Sequence, residues 1–292
     1  MDASLYRIRP LHAADIDAVL ELMRMANPAY ATQDLRANRH LLEIACAPPG
    51  TGLPDDALRV MAEEMARSAA GVSVDADTVH AMLRKGNASG DLVANGLIST
   101  VAEELAAGSV VGVVNAGAPG KWSHYAFTQL PESMGRQLRE RVVEVSDIAV
   151  APAARRRGIG QELMNAVLET DSERAQRWRV AIWFFPEGET AGGFHRAMAP
   201  EWPAGQPIAF LDSAGGYAEF RNMTRDLRAC VAPLHPGVGL VVDPVTGRAA
   251  IKGVFDQPWP WAATGGHGAG PSTRGSKADR KREKKLRGRA RG

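Results

Sequence analysis

Val142-Val143-Glu144-Val145-Ser146-Asp147-Ile148-Ala149-Val150, followed by Ala151-Pro152-Ala153-Ala154 and then Arg155-Arg156-Arg157-Gly158-Ile159-Gly160-Gln161, decides the fold. The first nine residues read as a strand. From Gln161 a helical pattern takes over, with Ile159, Leu163 and Val167, and again Met164 and Leu168, spaced as a face that packs on a sheet. A strand that feeds a glycine-bearing turn and opens a helix presents free backbone N–H groups, and the positive end of the helix, to an anion. Gly158 and Gly160 let a diphosphate approach the backbone, and the three arginines add charge that does not titrate away. The alternative is a purely structural turn. Within the strand, Val143 and Val145 share one parity while Ile148 and Val150 share the other. That change of phase predicts a β-bulge near Ser146 and Asp147, unless the strand is buried on both faces and parity carries no information.

Ile148-Ala149-Val150, Pro152 and Arg155-x-x-Gly158-x-Gly160 resemble motif A of the GNAT (Gcn5-related) N-acetyltransferases. Leu5 to Pro10 with the helical Ala13 to Met25 is similar to the first strand and helix of that family, and Thr100 to Val114 to its second and third strands. Val180 to Phe185 stands where the fifth strand belongs. The resemblance covers residues 1–30 and about 97–220 and implies an α/β acyl-CoA N-acyltransferase fold, a mixed central sheet flanked by helices. It further implies that the backbone of Ile148, Ala149 and Val150 holds the pantetheine of acetyl-CoA, while Arg155, Arg156, Arg157, Gly158, Ile159, Gly160 and Gln161 cradle its pyrophosphate. The implied reaction is direct attack of a primary amine on the thioester. An ammonium cannot attack, so a base must take its proton. Glu144 and Asp147 lie on opposite parities, so one of them should face the cleft whichever way the bulge turns; Glu144 is the first choice because bases of the resembled family commonly sit several residues before the motif A turn, and Asp147 is the second. His195 falls near the position of the tyrosine that serves the family as general acid, and no Asn precedes it. An imidazolium there has a suitable ordinary pKa, although a packing role is the alternative.

Composition bounds the reading. With 292 residues, 45% of them hydrophobic, the chain can bury a large core. No signal peptide or membrane-spanning run is visible. Cys46 and Cys230 are the only cysteines and fit free thiols in a cytoplasmic protein; Cys230 with His235 is weak as a ligand or nucleophile pair. No metal motif appears. Asn115 to Trp122 only superficially resembles a phosphate-binding loop, since the first glycine is missing and Trp122 follows Lys121.

The expected organisation is an acetyltransferase domain over 1–220 with a helical insertion at 31–96, a C-terminal extension over 221–262, and a disordered basic tail over 263–292. The insertion predicts helices starting near Asp55 and Asp75 and is either a substrate lid or a packing or dimerisation element. Gly237 to Phe255 reads as a β-hairpin around Asp243 to Arg248. From Arg274 onward ten Lys or Arg stand against two acidic residues, whereas the rest of the chain carries 25 basic and 31 acidic side chains. Such a tail is suited to nonspecific contact with RNA, DNA or the ribosome through residues 274–292, or only to solubility. Two functions follow: N-acetyl transfer to an amine acceptor of unknown identity, an aminoacyl-tRNA among the possibilities, or a catalytically silent CoA-binding adaptor tethered by its tail.

Overall fold

The computed structural model describes residues 5–26, 35–48, 51–68, 75–88, 97–119, 131–169, 175–186, 192–221 and 227–259. The basic tail lies outside the described residues. In chain order the elements are β1 (Tyr6–Pro10), α1 (Ile16–Ala26), α2 (Arg36–Cys46), α3 (Asp55–Ser68), α4 (Ala76–Ala88), β2 (Ile98–Glu104) and β3 (Ser109–Gly117). Then come α5 (Glu132–Arg141), β4 (Val142–Val150), α6 (Ile159–Leu168), β5 (Val180–Pro186) and α7 (Gly192–Met198). β6 (Ile208–Leu211), β7 (Tyr217–Arg221), β8 (Leu227–Pro233), β9 (Gly239–Val242) and β10 (Ala249–Lys252) follow among the described residues.

Six strands form the main sheet in the order β1-β2-β3-β4-β5-β8. Every neighbouring pair is antiparallel except β4 and β5, which run parallel. A smaller sheet has the order β7-β6-β10-β9. It contains the hairpin anticipated at the C-terminus, with Ala249 to Lys252 paired on Gly239 to Val242. Residue 220 lies within β7: β6 and β7 join the hairpin in the smaller sheet, while the later β8 lies in the main one. The chain therefore crosses between the sheets on both sides of that position.

Three buried clusters show how the main sheet is covered. On one face, Ile159, Leu163, Met164 and Val167 of α6 pack on Ala102, Val114, Val143 and Val145. Gly112 makes this close seat possible, because a Cβ there would stand 3.0 Å from Leu163 Cδ1 and 3.2 Å from Ile159 Cγ2. The opposite face is covered in two parts. Over β2, β3 and the end of β4 lie α1 and α2, whose Ile16, Val19, Leu20, Met23 and Leu42 meet Val101, Val113 and Ala149. Over the start of β4, β5 and β8 lie α5 and the smaller sheet, where Phe210, Phe220, Ile251 and Phe255 cover Val142, Val180, Ile182 and Val231. The insertion holds three described helices rather than two, and α2 belongs to the core. α3 and α4 are clamped together by Asn87, which accepts from the Leu53 N–H at 2.8 Å and donates to its carbonyl at 3.0 Å.

Candidate active site

The phase change in β4 is a bulge. Asp147 pairs with Asn115 of β3, but the next partner pair is Val145 with Ala116, so Ser146 is the extra residue. The consequence differs from the parity argument of the sequence. Asn115 and Gly117 are alternate residues of β3 and share a face; they stand opposite Asp147 and Glu144 respectively. Both carboxylates thus project from the same face, opposite α6, rather than one from each.

That face is divided between two coverings, and the pair stands at the seam. Val142, one alternation before Glu144, is buried under α5 and the smaller sheet. Ala149, one alternation after Asp147, is buried under α1 and α2. Glu144 and Asp147 themselves remain partly exposed. The strands also part here. β4 and β5 pair only from Val142–Val180 to Val145–Trp183, although β4 continues to Val150 and β5 to Pro186. Beyond Val145 the sides of the two strands that would face each other are not paired, which leaves a wedge lined by the backbone of Ile148 to Val150.

At the open end of the wedge lies the glycine turn. A 3-10 turn at Pro152–Ala154 redirects the chain, and Arg155 Nε donates to the Val150 carbonyl at 3.1 Å, holding the turn on the strand end. Arg156 adopts φ 66° and Gly158 φ 85°, both left-handed. Gly158 is the residue before the first turn of α6, and its carbonyl accepts from the N–H groups of Gln161 at 3.0 Å and Glu162 at 3.1 Å. The N–H groups before Gln161 have no acceptor within the helix and point out of its start. A Cβ at Gly158 would meet nothing within 4 Å, so the backbone is open on that side. Gly160 instead packs against Phe194, 3.4 Å from where its Cβ would be. Arg157 pairs loosely with Glu104 at 3.7 Å. Glu162 accepts from the Tyr6 hydroxyl at 2.7 Å, and burial first, then this bond, pushes the phenol up to about 12. The motif residues Arg155 to Gln161 are thereby gathered at one helix start, in a form that fits a diphosphate.

His195 is on the other side of the sheet from the carboxylates. It is buried, stacked on Phe185 with ring centroids 4.6 Å apart and edged by Phe194 at 5.2 Å. Burial, with the charge of Arg196 second, holds its pKa down to about 4, so at neutral pH the ring is uncharged and the imidazolium is a minor form. Its backbone carbonyl accepts from Cys230 Sγ at 3.4 Å, and burial pushes that thiol up to about 12. His235 serves the turn before β9, accepting from the Gly237 N–H at 3.1 Å. The structure thus separates Cys230 from His235 in role. Among the described residues no group of three or more His, Cys, Asp or Glu stands ready to hold a metal, and no helix is long and apolar enough to cross a membrane.

One polar chain was not read from the sequence. Asn115, 1% exposed, accepts from Ser99 Oγ at 2.7 Å through its side-chain oxygen. Its amide nitrogen lies 3.5 Å from Asp147 Oδ2 and 3.8 Å from Met23 Sδ of α1. The hydroxyl of the bulged Ser146 reaches the same Oδ2 at 3.0 Å. The signal available in the sequence was a lone Asn after the apolar run Val110 to Val114.

Residues 76–198 match the family model described as the acetyltransferase (GNAT) family. No curated protein matches the chain. Among solved structures, the chain is similar to an N-acetyltransferase from Staphylococcus aureus Mu50, at 15% identity over 79% of this chain and 99% of that one, with a TM-score of 0.36. A putative acetyltransferase from Salmonella typhimurium, solved with its cofactor acetyl-CoA, shares 15% identity over 80% of this chain and 95% of that one, with a TM-score of 0.36. A diaminobutyrate acetyltransferase from Paenibacillus lautus, solved with L-2,4-diaminobutyric acid and coenzyme A, shares 13% identity over 81% of this chain and 100% of that one, with a TM-score of 0.37.

Proposed function

Residues 76–198 belong to the GNAT acetyltransferase family, and on that premise we propose that the chain transfers an acetyl group from acetyl-CoA to a primary amine by direct attack. The observation that carries this reading is the union of three features along one strand: the helix start behind Gly158, the parting of β4 from β5 at Val145, and the two carboxylates at the seam. The N–H groups at the start of α6, with Arg155, Arg156 and Arg157 around them, would hold the pyrophosphate. The backbone of Ile148 to Val150 offers amides to an extended pantetheine in the manner of a missing strand. When bound, acetyl-CoA supplies an activated acyl thioester.

Glu144 and Asp147 would attract the acceptor as an ammonium and take the proton that it must lose before its nitrogen can attack. Standing on one face, they work as a pair rather than as alternatives. His195 does not suit the role of a cationic acid, since it is uncharged at neutral pH and lies on the opposite face. The departing thiolate can therefore take its proton from water or from the nitrogen of the tetrahedral adduct, which must lose a proton as the amide forms. The test is release of free CoA from acetyl-CoA with tyramine, spermidine and a short alanine-initiated peptide, each product identified by mass. A second reading rests on the charge of residues 274–292: a CoA-binding adaptor attached to nucleic acid by its tail. Binding of CoA without turnover on any acceptor would favour it.

A further inference from the structure

We infer that Asn115 is a positioning residue of the acetyl-transfer site, acting through Asp147; the inference rests on the proposed acetyltransferase reading. A strand interior under a helix is a place for Val: on the same face as Asn115, one alternation away, Val113 of β3 and its partner Val101 of β2 are fully buried. Burying an amide there costs about 1–3 kcal/mol unless its groups are bonded. Here the bonding is directional. Ser99 Oγ donates to Oδ1 of Asn115 at 2.7 Å, which fixes the amide so that its nitrogen is turned to β4. That nitrogen faces Asp147 Oδ2.

The bulge completes the arrangement. Inserting Ser146 brings Asp147 into register opposite Asn115 and supplies a second donor, the Ser146 hydroxyl, to the same oxygen. Two donors from two strands converge on one carboxylate oxygen, so the plane of the carboxylate is set by the sheet rather than by a free side-chain torsion. Met23 of α1 closes over the amide at 3.8 Å and keeps water from it. A flat amide with its oxygen already engaged offers its nitrogen to the carboxylate in one direction, whereas a valine of similar size offers no donor. Positioning of this kind matters because small displacements of a proton acceptor cost large factors in rate.

The test is a double-substitution cycle on the full chain with acetyl-CoA and tyramine, spermidine and an alanine-initiated peptide as acceptors. Asn115→Val is expected to lower kcat by about 10-fold or more while leaving the KM for acetyl-CoA within about 2-fold. In an Asp147→Asn background the same change is expected to have little further effect, because the group it orients is no longer a carboxylate. Asn115→Ser, which keeps a donor in the strand, is expected to recover part of the loss. Equal losses from Asn115→Val in both backgrounds, or full activity of Asp147→Asn, would overturn the inference while leaving the acetyltransferase reading intact. Absence of turnover by the wild-type chain on all three acceptors would instead sink that reading and this inference with it. A variant of Asn115 that fails to fold is replaced by Ser99→Ala, which frees the amide from its anchor and is expected to give the same pattern in smaller measure.

Discussion

At the scale of single residues, the site is defined by what each side chain is prevented from doing. Gly158 sits at φ 85° with no atom of the described residues within 4 Å of where a Cβ would be, so a substitution there strains the backbone and covers the helix start. Gly158→Val is expected to weaken CoA binding by about 10-fold or more in calorimetry, with the fold retained at a cost of about 1–3 kcal/mol. Of the two carboxylates, Glu144→Gln and Asp147→Asn are each expected to lower turnover at neutral pH by up to about 10²-fold, with a smaller loss at high pH where free amine is abundant. A pH-rate series on both variants checks this, and a loss unchanged by pH would mean that they only bind. His195 gives a stability prediction with a definite sign. Its pKa is about 4 in the fold and near 6.5 when exposed, so the unfolded chain takes the extra proton first. Stability is then fully present above pH 6.5, falls on acidification through that window, and levels off below about pH 4, the total being on the order of 1–3 kcal/mol. Urea midpoints at pH 7 and pH 4.5 should show His195→Phe losing less than the wild type; an identical loss would mean that other groups govern acid sensitivity.

Among the elements, the decisive joint is between the two sheets, because the smaller one covers the side of β4 and β5 next to Glu144. Gly253 makes that joint. It has φ 84°, a Cβ there would fall 2.1 Å from the Gly237 carbonyl oxygen, and its own carbonyl accepts from Arg179 at 2.9 Å. Arg141 adds a bond to the Val254 carbonyl at 2.9 Å and an ion pair with Asp256 at 2.6 Å, which holds that carboxyl below its usual range. Gly253→Ala is expected to cost about 3 kcal/mol or more by urea unfolding. Gly247→Ala, equally left-handed at φ 68° but with nothing within 4 Å, should cost about 1–2 kcal/mol. Equal costs would show that backbone strain alone, and not the crowding against Gly237, matters at this joint. The legibility of these elements in the sequence follows the same physics. The passage from β4 through the turn to α6, and the β9–β10 hairpin, were readable because their patterns are local: a glycine turn, a 3.6-residue stripe, two apolar runs around Asp243 to Arg248. α2 was not, since Leu35 before it offers no side-chain cap and its apolar residues contribute to a core shared with α1. α5 carries only Met134, Leu138 and a glycine on its buried face and reads as polar. The common face of Glu144 and Asp147 was hidden because parity across a bulge depends on the partner strand, and Asn115 because its partner is 32 residues away in sequence.

For the molecule as a whole, the charge distribution separates two tasks. Residues 274–292 hold ten basic side chains and two acidic ones, while the remainder has an acidic surplus, so the overall charge of +2 describes neither part. The tail has no aromatic residue after Trp261 and no apolar periodicity, so it has nothing with which to join the cores described above. A chain ending at Gly270 is therefore expected to keep its thermal midpoint, its CoA affinity and its turnover on a small amine. Cation density of this order, offered to a phosphate backbone, binds by releasing counterions, and the log of affinity should fall with the log of salt by about 0.9 for each duplex phosphate neutralised and about 0.7 on a single strand. Without stacking side chains the binding should be indifferent to base sequence. A salt titration of RNA and DNA binding by the full chain and by the chain ending at Gly270 decides the matter. A steep slope in the first and a shallow one in the second is the expected result. Equal slopes would place any nucleic-acid surface within residues 1–270, whose net charge is negative, and loss of small-amine turnover on truncation would mean that the tail reaches the seam where Glu144 and Asp147 stand.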